Sequence, residues 1–137
     1  MIQLIVGQEG KGKTTKLLEK VNEEIKSAKG NFVFLDKNKK YMYELNNKVR
    51  LIDVSEFNFS SYDSFYGFLC GIISQDHDLE KIFIDNFLRI TSLDTLDLAL
   101  NQLSALCEKY NIDFVLSIAK NESDIPDSFK SNIIVSL

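Results

Sequence analysis

The stretch GQEGKGKTT, at residues Gly7–Thr15, constrains the fold of this chain more than any other part of the sequence. The chain has six glycines, and three of them lie within six positions here. The apolar run IQLIV (Ile2–Val6) precedes the stretch, and apolar residues at helical spacing follow it from Lys13 onward. The sequence therefore predicts a buried strand, a glycine-rich turn and a helix in immediate succession.

The rest of the chain alternates between short apolar runs and helical patterns. Further strands are predicted at Asn31–Asp36, Val49–Val54, Lys81–Asp85, Asp113–Ala119 and Asn132–Leu137. Between them, a short helix is predicted over Tyr41–Leu45, a longer one opened by Ser60 and Asp63, and another capped by Thr91–Asp94.

Strands joined by helical crossovers favour a largely parallel sheet with helices on both faces. We therefore predict one α/β domain spanning residues 1–137, built as a three-layer αβα sandwich.

The formal net charge of -4 gives no overall basicity that would favour nucleic acid or an anionic membrane surface. No stretch reaches transmembrane length and no leader pattern is present, so a cytoplasmic protein is expected. Cys70 and Cys107 fall in apolar helical patterns, which indicates buried free thiols.

The glycine-rich stretch matches the pattern G-x-x-x-x-G-K-[ST] at Gly7, Gly12, Lys13 and Thr14. Glycines allow positive φ values, so that successive N–H groups can turn inward and bind an anion beside the positive end of a helix. The alternative is a glycine-rich turn that merely precedes a helix. The predicted phosphate-binding residues are Gly7, Gln8, Glu9, Gly10, Lys11, Gly12, Lys13, Thr14 and Thr15.

With these motifs the chain resembles the P-loop NTPase superfamily. GQEGKGKT is a complete Walker A motif, and KIFID, ending at Asp85, resembles Walker B. The resemblance implies that Lys13 contacts the β- and γ-phosphates and that Thr14 and Asp85 hold Mg²⁺. The strand pattern is similar to the RecA-like division, which implies a core strand order of 5-1-4-3-2. Ser117 then ends the strand that follows Walker B, where such proteins often place a polar sensor of the γ-phosphate.

The nucleotide is expected to be ATP. The sequence contains no N-K-x-D guanine signature, since Asn47-Lys48-Val49-Arg50 ends in arginine. Its only arginines are Arg50 and Arg89, whereas nucleotide kinases that resemble this scaffold close an arginine-rich lid. These two residues are also the internal candidates for an arginine finger, although ordinary surface positions would explain both.

Hydrolysis depends on a carboxylate that can activate water. Many related ATPases have glutamate directly after the Walker B aspartate, but this chain has Asn86 there. Asp36, which ends its own strand, is the predicted substitute, and Glu9 in the loop is a further carboxylate. The sequence thus predicts an Mg·ATP-binding protein with catalytic residues Lys13, Asp36 and Asp85.

Two functions remain open. The first is a small ATPase with weak basal hydrolysis that acts with a protein partner or with copies of itself. The second is a nucleotide-dependent switch or accessory subunit that does not hydrolyse ATP. A basic segment interleaved with Tyr41 and Tyr43 could also track nucleic acid, or it is a solvated polar segment. Its basic residues are Lys37, Lys39, Lys40, Lys48 and Arg50.

Overall fold

The computed structural model describes residues 1–90 and 96–137, and for Arg89 and Ile90 it describes the backbone alone. The strands are β1 (Ile2–Val6), β2 (Asn31–Asp36), β3 (Arg50–Asp53), β4 (Leu79–Ile84), β5 (Asp113–Ile118) and β6 (Ile133–Ser136). The helices are α1 (Lys13–Glu24), α2 (Tyr62–Ser74), α3 (Phe87–Ile90) and α4 (Leu96–Tyr110). None of these described helices is both long and apolar enough to cross a membrane.

All six strands form one parallel sheet in the order β3-β2-β4-β5-β1-β6. The register aligns the carboxyl ends of neighbouring strands: Val6 lies opposite Ile118, and Leu35 lies opposite Ile84. The residues that follow β1, β2, β4 and β5 therefore emerge at the same edge of the sheet. This edge is where an open parallel sheet binds its ligands.

Helices cover both faces of the sheet because alternate strand residues point to opposite sides. Leu4 of β1 belongs to a core cluster that includes Leu69 of α2 and Leu100 of α4. The adjacent Ile5 belongs to a second cluster, which includes Leu17 of α1. The prediction of an α/β architecture, with a parallel sheet between two layers of helices, is therefore confirmed.

Each predicted strand is present to within two residues at either end. The helix opened by Ser60 and Asp63 is also present, but its N-cap is Ser61, whose side chain accepts a hydrogen bond from the backbone N–H of Ser64. The predicted cap at Thr91–Asp94 lies outside the described residues.

The predicted short helix over Tyr41–Leu45 is wrong. The segment forms turns, in which the backbone N–H of Leu45 donates to the carbonyl oxygen of Tyr41 at 3.2 Å. Asn22 of α1 takes the neighbouring backbone groups: its amide donates to the carbonyl of Glu44 and its oxygen accepts from the nitrogen of Asn46. Because the Asn46 nitrogen is already bonded to a side chain, it is not available to extend the turn into a helix.

The two cysteines differ in exposure. Both are free thiols, but Cys107 is buried whereas Cys70 is half-buried, so the prediction of buried thiols is confirmed for Cys107 alone. Burial raises the pKa of the Cys107 thiol. Cys107 is therefore expected to be unreactive near neutral pH.

Candidate functional site

The loop between β1 and α1 has the backbone geometry that its glycines allow. Gly7, Gly10 and Gly12 have φ values of 155°, 79° and 94°. Gly12 adopts the left-handed conformation directly before Lys13, the first residue of α1. A residue with a Cβ atom would be strained at these φ values, so the turn into the helix depends on glycine.

Gly7 is also tightly packed. Its N–H donates to the carbonyl of Lys120 at 2.8 Å, which fixes the start of the loop against the end of β5. A Cβ atom at this position would lie 3.0 Å from the Cβ of Leu137 and 3.1 Å from its carbonyl oxygen. The residue that follows β6 thus closes tightly over the first residue of the loop.

Lys13 is folded over the loop instead of extending into solvent. Lys13 is only 5% exposed, and its Nζ donates to the carbonyl oxygen of Gln8 at 2.9 Å. This contact places a positive charge at the mouth of the loop, beside the N-terminus of α1. The loop N–H groups, the ammonium and the helix end together provide positive charge on this side of the site.

Asp85, the residue that follows β4, connects to this loop through a hydrogen bond. Its Oδ2 accepts from the hydroxyl of Thr14 at 2.9 Å, although the two residues are 71 positions apart in the sequence. The same oxygen accepts from the side-chain amide of Asn86 at 3.2 Å. The two predicted Mg²⁺ residues are therefore in direct contact.

Ser117 of β5 positions this end of β4. Its hydroxyl donates to Oδ1 of Asp85 at 2.5 Å and accepts from the backbone N–H of Asn86 at 2.7 Å. Asn86 has a φ of 53°, which turns the chain sharply after Asp85. Ser117 is fully buried and does not line the cavity beside Asp85. Its hydroxyl therefore orients Asp85, whereas the predicted γ-phosphate sensor would face the ligand.

An open cavity of about 470 Å³ lies above these residues, within the usual range for small-molecule sites. Asp36 lines it from the end of β2, is 4% exposed, and accepts the N–H of Lys37 at 2.7 Å. Glu9 lines the cavity from an exposed position in the loop. The lining residues are Glu9, Gly10, Gly12, Lys13, Thr14, Asp36, Asn38, Lys40, Tyr41, Asp85 and Asn86.

Other predicted residues lie outside this cavity. Gln8, Lys11 and Thr15 are exposed and do not line it. Arg50 begins β3, so it lies toward the amino-terminal edge of the parallel sheet, away from the loop. It is thus poorly placed to act as an arginine finger within the chain, and the side chain of Arg89 is outside the described part.

The cavity wall formed by Asn38, Lys40 and Tyr41 was not among the predicted site residues. The sequence did contain a signal, because these residues follow β2 and so emerge at the same edge as the glycine-rich loop. The basic segment does not form one surface: Lys40 lines this cavity, whereas Lys48 and Arg50 line a separate groove with Asn31, at the start of β2.

The donor set fits a magnesium ion shared with a phosphate ligand. Among the described residues, no group of three or more His, Cys, Asp or Glu side chains could hold a metal by itself. Thr14 and Asp85 offer one oxygen each in the cavity, and Mg²⁺ usually completes its shell with water and substrate phosphates. The residues present therefore suit Mg²⁺ that arrives with a phosphorylated ligand.

Comparison with known protein families and with curated proteins finds none that this chain matches. The geometry of the site consequently carries the functional argument.

Replacing Ser117 with alanine should destabilise the protein, because it leaves the half-buried N–H of Asn86 and one oxygen of the buried Asp85 without their partner. We expect the free energy of unfolding to fall by about 1–3 kcal/mol in urea denaturation. Ser74→Ala is the control, since that hydroxyl bonds Gly71 at the exposed end of α2 and its loss should cost less than about 0.5 kcal/mol. Equal stabilities for the two variants would contradict the structural role given to Ser117.

Proposed function

We propose that the chain is a P-loop nucleotide-binding protein that binds Mg·ATP in the cavity above the glycine-rich loop. The observation that carries this proposal is the hydrogen bond between Thr14 and Asp85, beside the buried Lys13. The glycine-rich loop with its helix and the KIFID segment meet there, at one end of one cavity. If the glycine-rich stretch were only a turn before a helix, no contact between that helix and the distant Asp85 would be expected.

Each group has a defined task in this proposal. N–H groups of the loop and the N-terminus of α1 bind the phosphate chain. Lys13 exchanges its contact with the Gln8 carbonyl for the β- and γ-phosphates. Thr14 and Asp85 hold the magnesium ion, which when bound neutralises charge on the phosphate oxygens. Ser117 keeps the Asp85 carboxylate in place for that task.

The sheet topology supports an assignment to the RecA-like division. When the edge strand β3 is left out, the observed order is β2-β4-β5-β1-β6. Numbering these five strands along the chain gives 2-3-4-1-5, which is 5-1-4-3-2 read from the other end. The Walker B-like strand β4 is then separated from the loop strand β1 by one strand, β5.

Hydrolysis is proposed to be slow. Asn86 stands where many related ATPases have glutamate, and its amide donates to Asp85 instead of accepting a proton from water. Asp36 is the proposed base, because β2 is the direct neighbour of β4 and Asp36 lines the same cavity. Its position at the carboxyl edge lets it reach water beside the terminal phosphate.

The biological output is proposed to depend on a protein partner or on further copies of the chain, with adenine nucleotides preferred. The two free thiols suit a reducing compartment such as the cytoplasm. A nucleotide-dependent switch or accessory subunit without hydrolysis is the second candidate, favoured by the contact between Asn86 and Asp85. Turnover measurements separate the two.

Mg·ATP should stabilise the protein through Lys13. At about a hundred times its dissociation constant, the ligand should add about 2.7 kcal/mol to the free energy of unfolding. Lys13→Ala should remove that gain while the protein stays folded, as thermal denaturation with and without Mg·ATP would show. The control is Lys16→Ala, an exposed residue of the same helix that pairs with Glu19. Equal gains for wild type and Lys13→Ala would contradict phosphate binding at the loop.

Asp36→Asn should slow ATP turnover at least about tenfold with little change in ATP affinity, since positioned base catalysis contributes about 10²–10⁴-fold. Steady-state phosphate release measures the rate, and titration measures the affinity. Asp53→Asn is a matched control because Asp53 ends the adjacent strand β3, opposite Asp36, and bonds Ser55 outside the cavity. Unchanged turnover in Asp36→Asn would exclude this base, and no turnover by wild type would favour the switch.

A further inference from the structure

The segment 37–41 forms the cavity wall that follows β2, and it brings a second lysine to the site. Lys40 lines the cavity together with Lys13. The adjacent Lys39 does not line it and pairs with Glu56 at 3.2 Å. Lys40 forms no ion pair with a carboxylate in the part of the chain that the structure describes. The cavity thus contains a second lysine that forms no ion pair among the described residues, although the carboxylates of Glu9, Asp36 and Asp85 also line it.

Local contacts hold Lys40 in this position. Its backbone N–H donates to the side-chain oxygen of Asn38 at 2.7 Å, which fixes the turn after β2. Its Nζ lies 5.4 Å from the centre of the Tyr41 ring, within the range of a cation–π contact. Tyr41 is half-buried and packs against the core on the α1 face of the sheet. Lys40 therefore extends from an anchored turn.

The sheet order indicates which phosphate such a cation would meet. A phosphate chain bound at the N-terminus of α1 would bring its β- and γ-phosphates to a magnesium ion held by Thr14 and Asp85, which are in contact at that end of the cavity. The strand β2 lies on the side of β4 that faces away from β5 and β1. Segment 37–41 consequently lies beyond Asp85 as seen from the loop, where the chain of phosphates would end.

We propose that Lys40 binds the terminal phosphate of a nucleoside triphosphate and makes the cavity selective for triphosphates over diphosphates. The inference rests on the proposed function and adds to it a cation from within the chain. Lys40 would contact the terminal phosphate, which Arg50 lies too far from to reach. A diphosphate held by the loop and Lys13 ends one phosphate short of Lys40, so it gains little from this contact.

Equilibrium titration with Mg·ADP and with the Mg²⁺ complex of an imido analogue of ATP tests this inference. In wild type the analogue should bind more tightly than ADP. Lys40→Ala should weaken binding of the analogue at least about tenfold and that of ADP less than about twofold, and Lys40→Arg should retain most of the preference. The matched control is Lys39→Ala, which removes the neighbouring lysine and should leave both affinities within about twofold.

The outcomes separate this inference from the proposed function. If Lys40→Ala weakens both ligands equally or neither, the inference is wrong, and the proposed function stands provided that Lys13→Ala still loses binding. If wild type binds neither ligand, both the inference and the proposed function are wrong. Circular dichroism of each variant confirms that the exposed lysine was replaced without loss of the fold.

Discussion

The hydrogen bond from Thr14 to Asp85 is the contact on which the site depends. It joins the first turn of α1 to the end of β4 and so sets the position of the glycine-rich loop relative to that strand. Ser117 supports it by holding the other oxygen of the same carboxylate, and β5, which contains Ser117, lies between β1 and β4 in the sheet. Three neighbouring strands therefore cooperate to present one aspartate to the cavity.

Burial shows that this edge of the sheet differs from the rest of the core. Four polar or charged residues are buried in the part of the chain that the structure describes: Lys13, Asp36, Asp85 and Ser117. All four lie at the carboxyl edge of the sheet or at the start of α1, around the cavity or directly behind it. Burying charged groups lowers stability unless they are paired, and proteins commonly retain them where function requires it. Their concentration here supports the view that the edge is built for a ligand.

Much of the architecture could be predicted because apolar runs and helical spacing are local patterns. The strands and the glycine-rich loop were found from the sequence, and the two motifs selected Thr14 and Asp85 as residues of one site, but their hydrogen bond is seen only in the structure. The turns over Tyr41–Leu45 could not be found in this way, since Asn22 of another element decides their hydrogen bonds. The same reason applies to the cavity wall at Asn38 and Lys40, because strand order, which is a long-range property, determines what lies opposite the loop.

The magnesium dependence of ATP binding tests the central claim most directly, because Thr14 and Asp85 are the two residues proposed to hold the metal. Isothermal titration calorimetry measures the ATP affinity of wild type and of Asp85→Asn, once in the presence of Mg²⁺ and once in the presence of EDTA. We expect Mg²⁺ to tighten binding by wild type at least about tenfold and to have little effect on Asp85→Asn, since the carboxylate charge contributes to holding the metal. The same magnesium effect in both proteins would contradict the account.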